Sequence, residues 1–169
     1  QSNQAEFGVW TDGTDRTLLS LRIAATAQHV KRRVVIVLDV SCSMGSPANV
    51  KTTDGDRVDH GWSLLDIAKH AILTYVASLA PGDLIAIVVY DTSACVLLPF
   101  IDAAQKQSIR AAVLGATTAG ATNLAAGIAL AIDEFNGLSH DPLCADHIIV
   151  TTDGLPTATL LPSEGPKAV

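Results

Sequence analysis

The run Arg33 to Val40, β-branched or aliphatic throughout Val34 to Leu38, constrains the fold of this chain more than any other feature. A strand without polar alternation is buried on both faces, which requires a sheet covered by helices on either side. Two further runs of strand length, Leu84 to Tyr90 and His147 to Thr151, repeat the signal. Between them the apolar spacing switches to that of helices. Leu64, Leu65, Ile67, Ala68, Ala71, Ile72, Tyr75, Val76 and Leu79 recur at helical intervals until Pro81-Gly82 ends the pattern. Asp102 to Leu114 and Thr122 to Phe135 read as two more amphipathic helices. Cys95 to Phe100 follows Tyr90 after only Asp91 to Ala94, too short for a parallel crossover, so it should return as an antiparallel edge strand. Thr17 to Ala25 alternates and reads as another edge strand, whereas Met44 to Gly61, with Pro47, Asp54, Asp56 and Asp59, reads as a long surface loop. The expected class is α/β: a mostly parallel sheet with one antiparallel edge strand and helices on both faces.

Composition agrees and removes some functions from consideration. The 169 residues suit one domain, and 49 % hydrophobic against 17 % charged residues is far from the signature of disorder. A net charge of −6 would repel a phosphate backbone, and Lys31-Arg32-Arg33 is too small a cluster to offset it, so no nucleic-acid partner is expected. No apolar run approaches the roughly 20 residues of a membrane span, so no span is expected either. Cys42, Cys95 and Cys144 form no CxxC pair, which favours a reduced, intracellular setting; the first residue is Gln rather than Met, and localisation stays open. Cys95 and Cys144 are expected to be buried as small hydrophobes.

Three short segments fall where strands end or helices begin: Asp39-Val40-Ser41-Cys42-Ser43, Gly120-Ala121-Thr122 and Thr152-Asp153-Gly154. Parallel sheets bind ligands beyond the carboxyl ends of their strands. Asp39, Ser41, Ser43, Thr122 and Asp153 together form an oxygen-only donor set suited to a hard cation such as Mg²⁺, Mn²⁺ or Ca²⁺. With few carboxylates the cation keeps positive charge and open positions, which a Glu or Asp carboxylate of a partner protein would fill.

These segments, in this order and spacing, resemble the von Willebrand factor A family with its metal-ion-dependent adhesion site. The resemblance runs from about Leu18 to Pro156 and implies a Rossmann-like fold, with hydroxyls from Ser41, Ser43 and Thr122 and with Asp39 and Asp153 bound directly or through water. It divides the chain into a lead-in over 1–16, a von Willebrand factor A-like domain over 17–156 and a tail over 157–169. Gly61 to Ala71 and Pro81-Gly82-Asp83 are similar to intracellular members, some of which accompany ubiquitin-ligase modules. Three departures stand out. Cys42 and Ala121 occupy turns where the family favours glycine, so that a Cβ is expected to crowd either loop and lower metal affinity. Past Asp153 a family domain would continue with a helix, a strand and a closing helix, so the C-terminal elements are expected to be truncated and a sheet edge left for a partner chain to cover.

The implied function is a divalent-metal-dependent, adhesion-type protein-binding module and not an enzyme. The alternatives are a structural or scaffold subunit with a degenerate metal site and the substrate-binding part of a ubiquitin-ligase-type protein. Cys42 has no His near it in the motif to make it a nucleophile, and carboxylates committed to a cation make poor proton shuttles. Each segment also has an ordinary use: Thr122 as a helix N-cap, Asp153-Gly154 as a turn. Asp54 to Asp59 lacks the EF-hand's glycine and terminal Glu and reads as a solvated loop suited to choosing a partner, while His60 and His70 read as loop and helix-surface residues.

Overall fold

The computed structural model describes residues 5–11, 17–23, 30–51 and 57–154. Twelve elements follow one another: β1 (Ala5–Thr11), β2 (Thr17–Ile23), β3 (Lys31–Asp39), a 3₁₀ turn (Cys42–Gly45), β4 (Pro47–Lys51), β5 (Arg57–Ser63), α1 (Leu64–Ser78), β6 (Leu84–Tyr90), β7 (Ala94–Asp102), α2 (Lys106–Gly115), α3 (Leu124–Asn136) and β8 (Cys144–Thr151). The chain divides into two compact units, 1–30 and 31–169.

In the larger unit the strands lie in the order β7-β6-β3-β8. β6 and β8 run parallel to β3, and β7 closes one edge antiparallel to β6. This is the mixed α/β architecture expected from the apolar runs. β3 is central: Val34, Val35, Ile36, Val37 and Leu38 are all fully buried, each burial contributing about 1.5–3 kcal/mol. Its alternating side chains feed two cores. Val34, Ile36 and Leu38 meet Leu65, Ala68, Ile72 and Val76 of α1 and Ile109 and Val113 of α2. Val35 and Val37 pack on the opposite face with Val88, Tyr90 and Ala131, where Leu124 and Phe135 of α3 also lie. Helices therefore cover both faces. α3 sits tight against the sheet at Gly127, where a Cβ would come within 2.8 Å of Tyr90 Cδ1 and 2.9 Å of Val37 Cγ1.

The base of β3 is fixed by ion pairs. Arg32 Nη2 lies 2.8 Å from the fully buried carboxylate of Asp83, and Arg33 Nε lies 2.6 Å from Asp146. Asp83 also accepts from the amides of Arg32 and Ala80, so it ties β3 to the turn that enters β6.

Four expectations change. His147 to Thr151, expected as a strand buried on both faces, lies in the edge strand β8 with Ile148 and Val150 exposed. The stretch read as a loose lead-in contains β1, which pairs antiparallel with β2, Phe7 opposite Leu21 and Val9 opposite Leu19. Thr17 to Ile23 thus belongs to this two-stranded sheet, not to an edge of the parallel one. The long loop over 44–61 is a 3₁₀ turn followed by a hairpin, with Val50 opposite Val58 and Lys51 opposite Arg57, and His60 falls on strand β5 rather than in a loop. β4 and β5 carry Asn49, Lys51 and Asp59 and show no apolar alternation, so periodicity gave no sign of them. The tail from 155 onward and Asp54 to Asp56 lie outside the described residues.

Candidate functional site

From β6 the chain enters β7, and after α2 and α3 it returns to β8 on the other side of β3. The order therefore reverses at β3, and the crevice beyond the carboxyl ends of β3 and β8 is where such a sheet receives ligands. Asp39 is the last residue of β3, and Thr152, Asp153 and Gly154 follow the last residue of β8.

Asp39 is fully buried, and its carboxylate is held from several directions. Ser41 N donates to Oδ1 at 2.9 Å, while Oδ2 accepts from Tyr90 Oη at 3.1 Å and from Thr152 Oγ1 at 3.0 Å. Ser41 and Ser43 share a hydrogen bond between hydroxyls 3.1 Å apart, Ser41 buried and Ser43 exposed. Tyr90 pairs with Asp39 in the β3–β6 ladder, which is why its ring lies beneath the site. Burial, first, and the charge of Asp39 push its phenol up to about 12, so Tyr90 keeps its proton to donate.

Backbone bonds bring the Thr122 loop to the same end. Cys42 N donates to Gly120 O at 3.2 Å, and Ala119 N donates to Val40 O at 2.7 Å. From below, the turn after β6 clamps this loop: Ala121 N donates to Thr92 Oγ1 at 3.0 Å, and Asn123 N donates to Asp91 O at 2.7 Å. Gly120 carries the strain, at φ 64°, where a Cβ would lie 2.7 Å from Thr92 Oγ1 and 3.0 Å from Asp91 Oδ2. Thr122 itself is 5 % exposed. The cap of α3 is Asn123, whose side chain accepts from Ala126 N at 3.2 Å, so the ordinary alternative use of Thr122 as that cap is filled by its neighbour.

The structure thus ties Asp39, Ser41 and Ser43 together by direct bonds, links Asp153 to them through its neighbour Thr152, and sets Thr122 in the loop bonded to Val40 and Cys42. Sequence reasoning missed Tyr90 and Thr152; the signal for Tyr90 was a lone phenol closing an apolar run. The anticipated crowding is also relocated. The left-handed position falls at Gly120, not Ala121, which is exposed, and Cys42 opens a 3₁₀ turn, a conformation available to any residue. Cys95 is exposed and Cys144 half-buried, against the expectation that both are buried. Cys95 lies on the outer strand β7, and the Cys144 thiol donates to Asp141 Oδ2 at 3.2 Å.

The donor set fits a hard cation. Adjacent oxygens around Mg²⁺ at about 2.1 Å stand about 3 Å apart, the spacing of the Ser41 and Ser43 hydroxyls. Asp39, Ser41, Ser43, Thr122 and Asp153 would hold such an ion, which would supply an electrophilic centre for an anionic ligand.

The von Willebrand factor type A domain profile matches residues 34–155, from the first fully buried residue of β3 to just past Asp153. The chain belongs to this family. The von Willebrand factor type A domain has structural relatives among solved proteins that agree with its fold. The PilB minor pilin of Streptococcus sanguinis superposes with a TM-score of 0.62 at 18 % identity, over 89 % of this chain and 46 % of that one. The vWF domain of the type V pili tip protein Mfa5 from Porphyromonas gingivalis gives 0.56 at 24 %, over 75 % and 39 %. A von Willebrand factor type A protein from Catenulispora acidiphila gives 0.55 at 20 %, over 78 % and 28 %. This domain therefore spans less than half the length of each. No curated protein matches the chain. Among the described residues no helix is long and apolar enough to cross a membrane.

Proposed function

We propose that this von Willebrand factor type A domain is a divalent-metal-dependent, adhesion-type protein-binding module without turnover of its own. Mg²⁺, or Mn²⁺ or Ca²⁺ in its place, is held by Asp39, Ser41, Ser43, Thr122 and Asp153, and a Glu or Asp carboxylate of the partner completes its coordination. The observation that carries this reading is the pair of serine hydroxyls 3.1 Å apart beside a buried carboxylate, at the reversal of strand order. Asp39 accepts three donors and is committed to holding geometry rather than to moving protons. Likeness to a minor pilin and to a pilus-tip vWF domain supports a role in surface contact.

Calorimetric titration of Mg²⁺, Mn²⁺ and Ca²⁺ into the chelator-treated protein tests the cation. Binding should saturate at one site and disappear in Asp39→Ala and Thr122→Ala; no heat above buffer for any of the three ions refutes it. A peptide array in which each Glu-bearing sequence has a Gln twin tests the partner chemistry. Retention should require both the cation and the Glu, whereas partner binding indifferent to EDTA would make the domain a metal-independent scaffold.

A further inference from the structure

Resting on the cation reading above, the geometry points to Tyr90 and Thr152 as positioning residues that decide which oxygen of Asp39 is offered to the metal. A carboxylate oxygen has two lone-pair directions. Oδ2 receives two hydroxyl donors, Tyr90 Oη at 3.1 Å and Thr152 Oγ1 at 3.0 Å, and is filled. Oδ1 receives one, Ser41 N at 2.9 Å, and keeps a second lone-pair direction. The two hydroxyls therefore present Asp39 to the ion through one oxygen.

The two donors differ in what fixes them. Tyr90 is held by the fold: its ring is fully buried, lies against α3 at Gly127, and its backbone is paired with Asp39. Thr152 belongs to the exposed segment that carries Asp153, and its hydroxyl also accepts from Gly154 N at 3.4 Å. The Thr152 hydroxyl thus joins the carboxylate of β3 to the turn bearing the second one, so the two acidic ligands are set by a single hydrogen-bonded unit.

A one-oxygen carboxylate suits Mg²⁺, which demands near-octahedral geometry at short distance. Ca²⁺ tolerates two-oxygen carboxylates and irregular spheres. Selection of Mg²⁺ over Ca²⁺ should therefore depend on these hydroxyls, a readout that a merely structural role does not move.

The experiment is Mg²⁺ and Ca²⁺ calorimetry on the wild-type protein, Tyr90→Phe and Thr152→Val, with thermal melting of each metal-free protein to check folding. Outer partners of metal ligands are commonly worth 10–100-fold in affinity, so Mg²⁺ binding should weaken about tenfold or more in Tyr90→Phe, and Ca²⁺ binding by no more than about threefold. A fall in the Mg²⁺ to Ca²⁺ affinity ratio of about threefold or more in either folded variant supports the proposal. A smaller change in both overturns it while leaving the cation reading intact. Wild-type protein that binds neither ion overturns the cation reading, and this proposal with it. Should Tyr90→Phe fail to fold, Thr152→Val, altered at an exposed position, decides alone by the same threshold.

Discussion

Gly120→Ala is the substitution whose cost can be worked most fully from the structure. Gly120 has φ 64°, a region that costs a residue bearing a Cβ roughly 1–2 kcal/mol. The new methyl would also lie 2.7 Å from Thr92 Oγ1, so Thr92 must turn away and give up its bond to Ala121 N, worth about 1 kcal/mol. The sum is about 2–3 kcal/mol. For a chain of this size that corresponds to a fall in melting temperature of about 4–12 °C. Urea unfolding followed by circular dichroism measures it, with the m-value expected to stay constant so that the midpoint carries the change. Thr92→Val should cost about 1 kcal/mol alone, and the double substitution should cost less than the sum, because the same hydrogen bond is lost in both. A loss below about 0.5 kcal/mol in Gly120→Ala, or strict additivity in the cycle, refutes the account of strain at this turn. Because Gly120 O accepts Cys42 N, the same variant should also weaken any cation binding.

Ser63→Ala removes one half of the capping box of α1, in which Ser63 Oγ accepts from Asp66 N and Asp66 accepts from Ser63 N, at a cost of about 1 kcal/mol at neutral pH. The bonds from the Ser63 side chain and then its amide hold Asp66 below the usual carboxylate range, so its contribution is present above that range and is lost as pH falls through its lowered value; the difference between wild type and variant, measured in urea, should shrink on acidification. The Cys144 thiol is pushed up, first by its bond to Asp141 and then by burial, so iodoacetamide labelling of a variant keeping only Cys144 should reach half-rate at a pH above the ordinary thiol value, and Asp141→Ala should move that midpoint down; an unmoved midpoint would exclude the contact. Chelation should leave unfolding cooperative, and saturating Mg²⁺ should stabilise only by mass action, about 2.7 kcal/mol at a hundred times the dissociation constant. A chelated protein without a cooperative transition would show instead that the cation is needed for folding.

What could be read from the sequence follows from which interactions are local. The core strands were legible because Val34 to Leu38 and Leu84 to Tyr90 are buried on both faces, so each declares itself without knowledge of its partners. β7 was legible because four residues cannot cross a sheet. β4 and β5 were not, since strands carrying residues such as Asn49, Lys51 and Asp59 show no apolar period, and β1 was passed over because its alternating Phe7 and Val9 lie in a polar, Gly- and Asp-rich stretch. The positions of the candidate donors were legible because Asp39, Thr122 and Asp153 each sit at or next to the end of an element whose apolar pattern could be seen. The groups that orient it were not, because Tyr90 and Thr152 lie 51 and 113 positions from Asp39 and meet it only through the order of strands. The strain was assigned to the wrong neighbour, Ala121 in place of Gly120, since both lie in one turn and φ is fixed by how Thr92 and Asp91 press on it from another element.

That distribution has a consequence for how the site is maintained. A carboxylate with no solvent exposure is costly unless hydrogen-bonded, and Asp39 receives one backbone amide and two hydroxyls, so the fold accommodates the charge without a cation. The hydroxyls of Ser41 and Ser43 are likewise bonded to each other. Binding an ion would then exchange one hydrogen bond between serines for two metal contacts while leaving the Oδ2 donors in place, a small rearrangement of groups already held. A site built in this way is preorganised, with little ordering left to oppose binding. Its affinity is then set chiefly by how few charges it offers. Asp39 and Asp153 are the two carboxylates of the proposed set, and where either binds through water the ion keeps part of its positive charge. On the proposed cation reading, a third anionic group would have to come from outside the chain, as the proposed recognition of an acidic side chain requires.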